Sequence, residues 1–166
     1  MPNIPVRAPT THRRSLQSGV GLIEVLVAVL VLSIAFLGIA ALQAMSLSTN
    51  NSAMARSMAT ISSYSILDAM RADLAAAQAG SYNRTGTSAV KASACPAGTG
   101  SLAAAQISQW CGQLGQSLGA AATTTGDINC TAAGGSADCT ITISFDDSRA
   151  GVGGSSVQKV ITRAML

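Results

Sequence analysis

The sequence predicts an α+β fold, a long N-terminal α-helix packed on a small antiparallel β-sheet and stapled by disulfides. Three observations lead there. No proline interrupts residues 25–78. Late in the chain, Cys139, Ile141, Ile143 and Phe145 alternate with Thr140, Thr142 and Ser144, the two-residue period of a half-buried strand. Four cysteines, Cys95, Cys111, Cys130 and Cys139, fall in the C-terminal half.

The chain divides into four segments: a basic leader over 1–19, an apolar helix over 20–43, an amphipathic continuation over 44–79, and a small disulfide-bearing globular region over 80–166. The leader holds Arg7, Arg13 and Arg14 and no acid, which leaves seven basic against seven acidic residues in the remainder. A near-neutral remainder lacks the broad basic footprint of a nucleic-acid binder, so no nucleic-acid partner is expected.

From Val25 to Leu42 only Ser33 and Gly38 break an apolar run. As a helix this run is about 27 Å long, close to the thickness of a bilayer core. The arginines before it should stay cytoplasmic. An ordinary signal peptide or anchor is the plainer reading. Against it stand the length of the run, the helical pattern that continues past it, and Glu24 at its edge. A carboxylate there is costly in lipid without a partner, so Glu24 is a functional-site candidate.

The helix should run on to about Gln78 and stop at Gly80. In its second half Met54, Met58 and Ile61 share one face, and Ile66, Leu67, Met70 and Leu74 lie roughly opposite. Either this is a core helix with an uneven pattern, or one face meets other helices while the other packs on the C-terminal region. Residues 80–101, rich in Gly, Ser and Thr, read as loop. A short helix should follow over Leu102–Leu118, with Trp110 anchoring a core that has only 3% aromatic residues to draw on. A strand at Asp127–Thr131 can pair with Cys139–Phe145 through the Ala132–Ala137 loop. A third strand should run over Val157–Met165 after the turn at Gly151–Gly154.

An even cysteine count in a small exported domain reads as two disulfides. Of three connectivities, the sequence neighbours Cys95–Cys111 and Cys130–Cys139 are the simplest. A zinc site is the rival, disfavoured by the lack of closely spaced ligand pairs. No metal or other cofactor is expected, although Asp127, Asn129 and Asp146 could contribute to a calcium site.

The stretch Gly19-Val20-Gly21-Leu22-Ile23-Glu24-Val25-Leu26 resembles the processing signal of type IV prepilins. The longer run through Leu37-Gly38-Ile39-Ala40-Ala41-Leu42-Gln43 is most similar to PilV-type minor pilins, as, more weakly, are Trp110-Cys111 and Asp146-Asp147-Ser148-Arg149. The resemblance implies cleavage between Gly19 and Val20 by prepilin peptidase, methylation of Val20 as the new N-terminus, and Glu24 as the fifth mature residue and an assembly determinant. The first mature residue is Val, where Phe is commonest.

The resemblance also implies a pilin-like fold and a subunit held in the inner membrane, with its globular part periplasmic, before it enters an extracellular pilus. The implied partners are other minor pilins, the major pilin and a tip adhesin. The implied role is priming and assembly of the filament at or near its tip, supporting pilus biogenesis, twitching motility and cell adhesion. A type II secretion pseudopilin and a DNA- or ligand-binding pilin-like subunit are the alternatives. An enzyme is disfavoured because the single histidine, His12, lies in the leader. The mature chain thus lacks the commonest general base near neutral pH.

Overall fold

In a computed structural model, residues 19–148, 150 and 154–166 are described. The leader up to Ser18, Arg149 and most of the Gly151–Gly154 turn lie outside them. The helix α1 spans Leu22–Ala72, and two compact units divide at Ala41 and Leu42. The first unit carries the apolar part of α1, which is long and apolar enough to cross a membrane and has no buried residue.

In the second unit, the remainder of α1 is followed by α2 (Leu74–Gln78), β1 (Val90–Lys91), α3 (Leu102–Leu118), β2 (Thr125–Ala133), β3 (Ser136–Phe145) and β4 (Gln158–Met165). The strands form one antiparallel sheet in the order β1-β2-β3-β4. The expected layout is present: a long helix, a small antiparallel sheet and two disulfides. The sheet has four strands instead of three. The extra one, β1, lies in the segment read as loop and is only two residues long.

The single helix expected to reach Gln78 is instead broken at Asp73, whose φ of −131° and ψ of 52° leave the helical region. The cause is tertiary. Tyr82, fully buried, donates its hydroxyl to Asp73 Oδ2 at 3.1 Å and lies beside Gln106 Oε1 on α3. Burial, reinforced by the Asp73 carboxylate, pushes the Tyr82 phenol up to about 12.

The two faces of the amphipathic half of α1 differ in burial. Ile66, Leu67 and Met70 are buried, whereas Met54 and Ile61 are exposed. Further up the inward stripe the residues are small: Ser52, Ala59, Ser62 and Ser63. Small side chains let neighbouring elements approach the helix backbone. Trp110 uses this, donating Nε1–H to the Ser62 carbonyl at 2.9 Å while only 2% exposed. A buried indole donor is thereby satisfied and α3 is fixed to α1.

The sheet leaves room for the same indole. Gly126 faces it from β2. A Cβ there would fall 2.7 Å from Trp110 Cζ3 and 3.0 Å from Leu114 Cδ1. Gly126→Ala should therefore displace the ring and cost about 1–3 kcal/mol. Urea unfolding followed by the fluorescence of Trp110, the chain's single tryptophan, checks this; a midpoint equal to wild type would refute it.

On β3, Ala137, Cys139, Ile141, Ile143 and Phe145 point into the core, in the alternation expected. The register sets Cys130 opposite Cys139 and Ile128 opposite Ile141.

Candidate assembly site

The helix begins inside the stretch Gly19–Leu26, at Leu22. The Gly21 carbonyl accepts from the amides of Glu24 (2.9 Å) and Val25 (3.2 Å), opening α1 at Leu22. Glu24 therefore occupies the first turn. There the exposed amide ends favour a carboxylate. Val20, Glu24 and Ala28 recur every four residues and line one side of the segment together with Val25, Val29 and Leu32. Val20 is 70% exposed, and the side chains around Glu24 are exposed and apolar.

Gly19 has no packing role among the described residues. A Cβ at that position would meet nothing within 4 Å. The arginines proposed to stay cytoplasmic, Arg7, Arg13 and Arg14, lie outside the described residues.

The four cysteines form Cys95–Cys111 and Cys130–Cys139. The first ties the segment before α3 to the helix itself. The second bridges directly opposed residues of β2 and β3, with Cα atoms 4.1 Å apart.

The acidic pair at the end of β3 splits. Asp146 is exposed and accepts from Ser148 N at 2.9 Å, which makes it a turn residue. Asp147 is buried. It accepts a hydrogen bond from Ser52 Oγ, and Arg56 Nη2 stands 3.9 Å from its carboxylate. The connection after β3 is thus tied to α1. Sequence reasoning missed this contact, since the partners lie 95 residues apart. Of the calcium candidates, Asp127 accepts from Gly86 N at 3.1 Å and Asn129 is exposed on β2. Among the described residues no group of three or more His, Cys, Asp or Glu side chains is placed to hold a metal ion.

A long N-terminal helix on a four-stranded antiparallel sheet with two disulfides is a pilin-like α+β layout. Residues 14–40 match the prokaryotic N-terminal methylation motif. No curated protein and no solved structure matches the chain. The motif supports a protein of the type IV pilin family, pilin or pseudopilin. It implies processing by prepilin peptidase and assembly with other pilins. The apolar helix that carries the motif is consistent with membrane anchoring of a pilin precursor.

Proposed function

We propose that this chain is a minor pilin of a type IV pilus, most like the PilV type, that primes filament assembly and sits at or near the tip. On this reading it is a structural subunit with no catalytic role. Prepilin peptidase cuts between Gly19 and Val20, and the Val20 amine is methylated. The subunit waits in the inner membrane with its globular part in the periplasm, then joins other minor pilins and the major pilin.

The observation that carries the reading is Glu24, a carboxylate in the first turn of a helix whose neighbouring surface is exposed and apolar. A plain membrane anchor gains nothing from a charge at that depth. A subunit docking beside a neighbour's free amine does gain, because the two charges neutralise each other out of water. The absence of any packing reason for Gly19 agrees with a role in peptidase recognition.

Deletion of the gene, scored together for surface pili, twitching and type II secretion, tests the assignment. Loss of pili and twitching with secretion intact is expected. Loss of secretion with pili retained would instead make the chain a pseudopilin.

A further inference from the structure

The two edges of the sheet are finished differently. On the β2 side the outward backbone groups from Thr124 to Cys130 are occupied. β1 lies beside Gly126 and Thr125, and Ala92 N donates to the Thr124 carbonyl at 2.9 Å. Arg84 and Ile128 exchange two backbone bonds of 2.8 and 2.9 Å. The Asn83 side chain imitates a strand residue: its Oδ1 accepts from Cys130 N at 2.8 Å, and its Nδ2 donates to Cys130 O at 3.1 Å. Such blocking is how sheets avoid unwanted edge pairing.

On the β4 side the edge is open. Leu166 and Ala137 exchange backbone bonds of 2.8 and 3.2 Å, which sets the phase of the ladder. With the β3–β4 register, the amides and carbonyls of Gln158, Val160, Thr162 and Ala164 face β3. Those of Lys159, Ile161, Arg163 and Met165 face outward. They span about 20 Å of strand. Among the described residues, none bonds them. The side chains of the same four residues lie together on the outer face, with Ile161 66% and Met165 62% exposed. Arg163 is held in place by Asp138, through bonds of 3.1 and 2.5 Å. β4 itself carries two cations and no acid.

We propose that the β4 edge docks an extended strand from a partner protein, one that alternates acidic and apolar residues on the face it shares with Lys159, Ile161, Arg163 and Met165. Backbone pairing along the open edge supplies affinity, and the alternating row supplies specificity. A second copy of this chain is the wrong occupant. Antiparallel pairing of two β4 strands would set Lys159 of both copies on one face, with each Asp138 already engaged by Arg163 and no acid on either strand for the lysines. The proposal does not depend on the pilin assignment.

The test uses the full-length mature protein in detergent micelles and a fluorescently labelled peptide of sequence Glu-Thr-Val-Thr-Glu-Thr-Val-Thr. A scrambled version and a Lys-for-Glu version serve as comparators. Saturable binding of the first, about tenfold or more tighter than either comparator, is expected. Ile161→Pro deletes an amide that points away from β3, so the internal ladder survives. It should weaken binding about tenfold or more. Lys159→Glu changes only an exposed side chain and should shift the preference toward the Lys peptide.

Equal binding of the three peptides by the wild-type protein would overturn the proposal. So would unchanged binding by Ile161→Pro with native Trp110 fluorescence, or an unshifted preference in Lys159→Glu. A dimer in sedimentation that Ile161→Pro dissolves would assign the edge to a second copy and equally overturn it.

Discussion

Glu24→Ala should reduce incorporation of this subunit into sheared pili by about a hundredfold while leaving its membrane pool intact. The reasoning is electrostatic. In the bilayer, a carboxylate at the edge of the apolar run can reach the interface. In a filament built from such helices it would be enclosed, together with the N-terminal amine of a neighbour. An enclosed pair stripped of one member leaves an uncompensated charge, which costs about 3–5 kcal/mol. At about 1.4 kcal/mol per factor of ten, that penalty exceeds a hundredfold in the assembly equilibrium.

The geometry adds a constraint on the pairing. Val20 and Glu24 lie four residues apart, so each subunit offers an amine and a carboxylate at one end of its helix. Pairing between subunits then fixes an axial stagger. Glu24→Gln keeps the shape and removes the charge, so it should fail like Glu24→Ala. Glu24→Asp keeps the charge and should assemble in part. Immunoblots of sheared filaments against membrane fractions read all three, and wild-type incorporation of Glu24→Gln would remove the ion-pair argument.

Legibility followed range. The processing motif, the apolar run and the helix Leu102–Leu118 are written in consecutive residues, so the sequence alone placed them. The alternation in β3 was equally local. The break at Asp73 was hidden because nothing near it disfavours helix; Tyr82, nine residues on, holds its carboxylate. β1 is too short to show a period, and exists because β2 offers it an edge. Gly126 carries no signal of its own in the sequence, and only the position of Trp110 gives it a purpose. The tie from Asp147 to Ser52 joins the two ends of the second unit and had no local signal. Around the candidate assembly site, the motif over residues 14–40 was readable because it is a run of consecutive residues.

Reduction of both disulfides should lower the melting temperature of the globular unit by about 15 °C or more. The bridges close loops of sequence separation 16 and 9. Closing loops of that size removes chain entropy worth about 3 kcal/mol each from the unfolded state. A domain of this size has about 5–15 kcal/mol in total, so the two together are a large share. The composition makes the share larger. The core's largest fully buried side chains include one Trp, one Tyr and one Phe, and much of the rest is Ala, Val and Ile.

The two bridges should also separate. Cys130 and Cys139 are buried in the sheet, with Cys130 Sγ 3.6 Å from Met70 Sδ on α1. Their joint replacement by Ala therefore loses packing as well as the cross-link, and should unfold the sheet cooperatively. Cys95 is exposed, and its bridge holds a segment with little secondary structure. Cys95→Ala with Cys111→Ala should first free residues 92–101 to hydrogen exchange, with a smaller fall in melting temperature. Thermal unfolding of the mature protein in detergent, with and without reductant, decides the main point. A reduced protein that melts with the oxidised one would mean that the small core and the packing of α1 suffice alone.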